Sequence, residues 1–271
     1  MNRISAILFS VALALGTVGP APGQEIPADA VLQGFEPVGQ WVLEVGGSVD
    51  PEAEIFQSQK AGSALLIRSP NLDAPVLLSP RKNGAVEIVP EEKVVEREDG
   101  TLDILSDADL ASSGSYQMGG GSLSFSASGL ELRLKEAPHS LGSHGAEELA
   151  EKDRGYAFEA RTYDPSDPML RSLRKVSEPV EVVVFFGSWC PFCRDHVPKA
   201  IRLARELEGT PIEFDFYGLP RGFGDEPKAA QHDITGVPTA VVFRNGREIG
   251  RIEGYEWKIP ELTLKKLLQS S

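Results

Sequence analysis

Hydrophobic and polar positions follow two different rhythms along this chain. Between residues 24 and 136 apolar side chains recur at every second position in short bursts. Trp41, Leu43 and Val45 form one, Leu123, Phe125 and Ala127 another, and Leu130, Leu132 and Leu134 a third. Shorter apolar runs at 64–67, 76–78, 85–89, 94–95 and 102–105 lie between them, punctuated by Asn83-Gly84 and Asp99-Gly100. Successive side chains of a strand point to opposite faces, so a period of two marks half-buried strands joined by polar turns. The pattern predicts a mostly β N-terminal domain, an antiparallel sandwich or meander with no convincing helix. Residues 112–114 and 119–121 read as a flexible loop.

From residue 180 the rhythm changes. Residues 180–186 are a near-continuous apolar run, as expected of a strand covered on both faces. A helix over 191–208 follows, with Val197, Ile201, Ala204 and Leu207 on one face and Gly209 as its stop. Ile212, Phe214 and Phe216 alternate as a second strand, completing a βαβ unit. Residues 226–233 suggest a short helix. Strands at 239–243 and 248–252 meet at Asn245-Gly246, a strong hairpin signal, and 260–269 is an amphipathic closing helix. The join, 137–178, holds a short helix at 146–152 and a second helix through Arg174 capped by Ser166 or Asp167. His139 and His144 sit there among glycine and serine and read as solvated linker residues, with no third metal ligand in sight.

The ends and the charge sharpen this division. Residues 1–3 supply a short positive start, 4–18 are almost wholly apolar, and Ala21-Pro22-Gly23 resembles a cleavage site. The apolar run is shorter than the ~20 residues a spanning helix needs. The expected organisation is therefore a signal peptide at 1–23, an acidic β-rich domain at 24–136, a linker with a short helix at 137–159, and an α/β domain at 160–271. Export places the mature chain in an oxidising compartment, the bacterial periplasm or outside the cell, without stable membrane insertion. The net charge is -13. Residues 24–136 carry most of it, with 8 Lys and Arg against 19 Asp and Glu. Nucleic acid and anionic membranes are thus poor partners.

Candidate chemistry concentrates at one place. The chain has 2 cysteines, and they stand three apart as Cys190-Pro191-Phe192-Cys193 after Trp189. A structural disulfide usually closes a longer loop, and a zinc site needs four ligands where only two thiols and scattered histidines exist. Two thiols at a helix start beside a βαβ pattern point to reversible disulfide chemistry without a cofactor.

The segments Val183-Val184-Phe185-Phe186-Gly187-Ser188-Trp189-Cys190-Pro191-Phe192-Cys193 and Thr235-Gly236-Val237-Pro238-Thr239 resemble the thioredoxin superfamily, with Pro198 five residues after the second cysteine. The resemblance covers about 160–271 and is most similar to the exported TlpA/ResA/DsbE type. It implies a thioredoxin-like fold, a central mixed sheet flanked by helices, with a redox-active disulfide between Cys190 and Cys193. It also implies a cis-proline loop at Pro238 and a shielding or substrate-contacting Trp189. Val184 stands where thioredoxins carry a buried aspartate, and His196 where the ResA type carries a glutamate.

The expected chemistry follows from position. At a helix N-terminus the dipole and free N–H groups favour the Cys190 thiolate, and such thiols reach pKa values of ~3.5–7.5. Cys190 would attack a substrate disulfide and Cys193 would resolve the mixed disulfide. Pro238, if cis, would hold a backbone edge where an extended partner could lie. With Val184 apolar, His196 or Asp195 is the nearest group to take the Cys193 proton, unless His196 is only a surface residue. Three functions stay open: a protein disulfide reductase fed by a membrane redox donor, an oxidase or isomerase using the same pair, and a scaffold whose thiols regulate attachment. The β half could form a homodimer, position substrates or dock the donor.

Overall fold

The computed structural model describes residues 30–270, so the expected signal peptide lies outside the described residues. The N-terminal half is built from two antiparallel sheets. The larger has eight strands, in the order Ala111–Ser115, Ala85–Ile88, Val76–Ser79, Ala64–Arg68, Glu54–Ser58, Ala30–Pro37, Leu102–Leu105 and Val94–Glu96. The smaller has five: Gln117–Gly119, Ser122–Ala127, Leu130–Glu136, Trp41–Val45 and Ser48–Asp50. They face each other as a sandwich. Leu43, Phe125, Leu132 and Leu134 of the smaller sheet share one apolar cluster with Ile55, Leu65, Ile67 and Leu78 of the larger.

The larger sheet is covered on its other face as well, where Ala64, Leu66 and Leu77 join Phe35, Leu102 and Ile104. That double coverage explains why 64–67 reads as a continuous apolar run whereas Leu123, Phe125 and Ala127 alternate with serine. Residues 112–114, read as loop, instead pair with Ala85–Ile88 through a bulge between Ser112 and Gly114. This edge strand is largely exposed and its pairing uses only backbone groups, so its side chains carry no strand pattern. Gly119, also read as loop, ends a strand paired with Ser122–Ala127, and Gly120 and Gly121 at positive φ make the tight turn between them.

The C-terminal half holds a five-stranded mixed sheet. Its order is Gly142–His144, Ile212–Gly218, Val180–Phe186, Thr239–Arg244 and Arg247–Ile252. Val180–Phe186 runs parallel to Ile212–Gly218 and antiparallel to Thr239–Arg244. The helices are α1 (Ala146–Lys152), α2 (Arg154–Thr162), α3 (Asp167–Leu173), α4 (Pro191–Glu206), α5 (Pro227–Gln231) and α6 (Pro260–Ser270). Val182, Val184 and Phe186 of the central strand face a core made with α1–α4 and α6. Val183 and Phe185 face the opposite side with Ala229 of α5. The Asn245-Gly246 hairpin forms with both residues at positive φ, the requirement of the turn that matches strand twist.

The stretch read as a linker is structured. Gly142–His144 adds an edge strand to the C-terminal sheet, with His144 opposite Phe216. His144 is buried, and its Nδ1 lies 2.9 Å from Glu148 Oε1, so it is not a solvated linker residue. His139 lies against Glu136 instead, and the described residues contain no cluster of three metal-ligating side chains. The sequence pattern misses α2 altogether: Gly155 in its first turn weakens the local helix signal.

The two halves touch close to the cysteines. Gly39, in the turn after Ala30–Pro37, lies so near Asp153 that a Cβ there would fall 1.9 Å from the carboxylate. Arg221 pairs with Glu136 at 2.6 Å, and Arg154 pairs with Glu54. Exposed pairs of this kind add little stability; the close approach of the Gly39 turn to α2 sets the junction.

Candidate active site

Cys190 is the N-cap of α4 and Pro191 its first residue. Proline suits that position because its missing N–H would have no helical partner. The Cys193 and Arg194 N–H groups donate to the Cys190 carbonyl at 3.1 and 3.3 Å, closing the first turn and facing the second cysteine towards the first. Both cysteines are free thiols, approaching to 3.5 Å. Cys190 is 6% exposed and Cys193 fully buried.

The two thiols are driven in opposite directions. The Cys190 thiol is lowered to about 6: the Cys193 thiol donates to it, the N–H groups of Cys193 and Phe192 point at it, and the Arg194 guanidinium adds positive charge, all against the cost of burial. Cys193 is pushed far up, first by burial and then by donating its proton towards Cys190. Its sulfur accepts only the Gly187 N–H, at 3.4 Å. The arrangement thus holds a thiol of lowered pKa at the helix start, barely open to solvent, and a protonated thiol beneath it.

The surroundings fix the pair in place. Trp189 donates from Nε1 to the Leu219 carbonyl at 2.9 Å, and the Arg221 guanidinium sits 5.4 Å from its ring. Any side chain at Gly187 would meet the Trp189 ring at 2.5 Å, so glycine there lets the indole lie across the loop. Ser188 Oγ accepts from the Ser140 N–H at 3.1 Å, tying this loop to the chain leaving the β domain. The Val237–Pro238 peptide is cis, and the Val237 carbonyl lies 3.7 Å from Cys190 Sγ. Trp257, almost completely buried, donates from Nε1 to the Pro238 carbonyl at 2.9 Å.

Beside the cis-proline loop, whose Val237 carbonyl approaches Cys190, runs an open groove of about 570 Å³, lined by the exposed Phe192 and Tyr255 and by His196, Pro238 and Trp257. Phe192 is 67% and Tyr255 86% exposed. His196 stacks on Trp257 at 6.2 Å, and no hydrogen bond joins it to either thiol. Desolvation and the Lys199 ammonium lower its pKa. The structure therefore places Cys190, Cys193, Trp189 and Pro238 together and turns His196 towards the groove. Trp257 and Arg221 were not foreseen, because both are distant in sequence from the cysteine pair.

A helix-capping thiolate over a buried thiol, on a mixed sheet next to a cis-proline loop, defines a thiol–disulfide exchange domain. Residues 170–268 match the family model Thioredoxin, and the C-terminal domain is a member of the thioredoxin superfamily. Thioredoxin from Staphylococcus aureus is 29% identical over 86 residues, 31% of this chain and 77% of that protein. Among solved structures, Fasciola hepatica thioredoxin is 26% identical with a TM-score of 0.27, covering 38% of this chain and 88% of its own. Trypanosoma brucei brucei thioredoxin is 14% identical with a TM-score of 0.26, covering 39% of this chain and 88% of its own. The family model lies wholly within the C-terminal half of the chain.

Proposed function

We propose that the protein is an exported thiol–disulfide oxidoreductase that reduces protein disulfides through Cys190 and Cys193. The observation that carries this reading is the pair of opposed thiols: a Cys190 sulfur lowered to about 6 above a protonated, fully buried Cys193. Cys190 attacks a substrate disulfide and forms the mixed disulfide. Cys193 then attacks Cys190 and releases the reduced substrate. The groove supports a protein partner, because an extended segment can lie against exposed Phe192 and Tyr255 while its cystine reaches Cys190. No helix among the described residues is long and apolar enough to cross a membrane. Export rests on residues 1–23 of the sequence, and return of the oxidised pair to the dithiol would fall to a membrane redox donor.

The thiol pKa also bears on direction. Stabilising the Cys190 thiolate stabilises the reduced form and makes the pair more oxidising. Thioredoxin, near pKa 7 and about −270 mV, and DsbA, near 3.5 and about −120 mV, bracket the relation. A thiol lowered to about 6 lies nearer the thioredoxin end of that range. Equilibration against glutathione buffers should return a value in that region together with reduction of insulin. A potential close to −120 mV would assign the pair to disulfide formation instead.

Groove variants separate binding from chemistry. Phe192→Ser and Tyr255→Ser remove exposed side chains with little cost to folding. They should raise KM for a protein disulfide several-fold while leaving the reaction with a small aromatic disulfide near wild type. Equal loss on both substrates would argue against the groove as the partner site.

A further inference from the structure

Trp189 stands immediately before the attacking cysteine and packs against the apolar cluster that contains both thiols. Its surroundings hold the ring from several directions. Gly187 leaves room for it, the Leu219 carbonyl accepts its Nε1 proton at 2.9 Å, and the Arg221 guanidinium lies 5.4 Å from its centre. Leu219 is itself fixed, its N–H donating to the Phe186 carbonyl at 2.7 Å. Arg221 is exposed, and the side chain that holds it comes from the other domain: its Nη2 donates to Glu136 Oε1 at 2.6 Å. Glu136 ends the strand Leu130–Glu136 of the smaller β sheet, in register with Trp41. Glu136, Arg221 and Trp189 all line the cleft of about 1000 Å³ between the two domains.

The chain leaving the β domain is pinned where it passes this loop. Ser140 donates its N–H to Ser188 Oγ at 3.1 Å, and its carbonyl presses on Gly218 so closely that a Cβ there would fall 1.9 Å from the oxygen. Glu136 lies just before Ser140 in the chain, so its carboxylate is delivered to a set place beside the active-site loop. An exposed ion pair adds little to stability, and so does a single exposed cation over a ring. Their joint effect is on geometry. A guanidinium held by a carboxylate keeps its flat face on the indole, whereas a free arginine spreads over many rotamers.

We propose that Arg221 is a positioning residue for Trp189, held in place by Glu136, so that the β domain sets the ring a protein substrate meets beside Cys190. The inference rests on the disulfide-exchange reading. A ring already fixed costs the substrate no ordering when it binds, whereas ordering one free large side chain weakens binding by about two- to tenfold. The clamp holds no more than its weak contacts supply, which limits the expected loss to about two- to fivefold. The clamp acts on the ring and not on the sulfurs, so the loss falls on KM and not on kcat.

The test follows insulin reduction by the full-length protein, with dithiothreitol regenerating the dithiol and the uncatalysed rate subtracted. Arg221→Ala and Glu136→Gln should each raise KM by about two- to fivefold with kcat nearly unchanged. The double variant should be no worse than Arg221→Ala alone, because both substitutions break the same clamp. In a Trp189→Ala background neither should change KM further. Ring position is read directly by fluorine NMR of protein labelled with 5-fluorotryptophan, the Trp189 signal being assigned by its loss in Trp189→Phe. Arg221→Ala and Glu136→Gln should both shift or broaden that signal and leave the buried Trp257 signal in place. A Trp189 signal unmoved in both variants would overturn the clamp, as would additive effects on KM or effects that persist without Trp189. Failure of the wild-type protein to reduce insulin would overturn the exchange reading itself, and the Trp189 signal would still decide the clamp.

Discussion

Cys190→Ser should abolish reduction of a protein disulfide to the uncatalysed rate, whereas Cys193→Ser should retain attack and accumulate mixed disulfides through Cys190. The asymmetry follows from geometry. Cys190 sits at the α4 N-terminus with thiol, N–H and guanidinium donors around it, and Cys193 is buried beneath with its proton retained. The pH profile of Cys190 alkylation is the sharper measurement. With its thiol lowered to about 6, the thiolate is present above that pH and lost as the pH falls through it. The midpoint should therefore lie near 6 and not near the ~8.5 of an ordinary cysteine. Absolute rates discriminate poorly, because a less basic thiolate is also a weaker nucleophile. A midpoint above 8 would remove the reason to assign Cys190 as the attacking thiol. Captured partners of Cys193→Ser then separate an enzyme, which accumulates several, from a scaffold, which traps one or none.

Trp257→Ala should cost about 3–5 kcal/mol of C-terminal domain stability, the usual range for a large buried aromatic. Trp257 is 1% exposed. It supports three features of the site at once: the Pro238 carbonyl through its Nε1, the His196 ring by stacking, and the Lys199 ammonium through its own carbonyl at 3.1 Å. Trp257→Phe would keep most of the volume and lose the Pro238 hydrogen bond, at about 1 kcal/mol plus a partial cavity. Chemical denaturation of both variants, read with the insulin assay, separates the two contributions. Alanine should fail in stability and activity together. Phenylalanine should remain folded with reduced activity. Equal stability of Trp257→Ala and wild type would mean that this side chain does not support the groove wall.

How much could be read in advance depended on the range of the interactions involved. The central strand Val180–Phe186, the helix after Pro191, the Asn245-Gly246 hairpin and the amphipathic α6 were all legible, because each is set by local period and turn chemistry. The sandwich was legible as a class from its alternating bursts. Its strand order was not: which strands neighbour one another depends on pairings between residues far apart, such as Glu136 with Trp41 or Ala30 with Leu105. The edge strand Ala111–Ser115 hid because backbone pairing needs no apolar side chain. Helix α2 hid because its stability comes from packing against α4 and the Gly39 turn, not from its own propensity.

The same division runs through the site. The Cys190–Cys193 spacing, the flanking Trp189 and the proline at 238 are sequence facts, and they carry the reaction class because thiol chemistry depends on a two-residue spacing at a helix start. The opposite pKa shifts of the two thiols, the turn of His196 towards Trp257 and the approach of the β domain through Gly39 arise only when distant segments are brought together. Local rules act within a few residues of chain. Desolvation and charge act through space, and it is the folded surroundings of the α4 N-terminus that drive the two thiols in opposite directions.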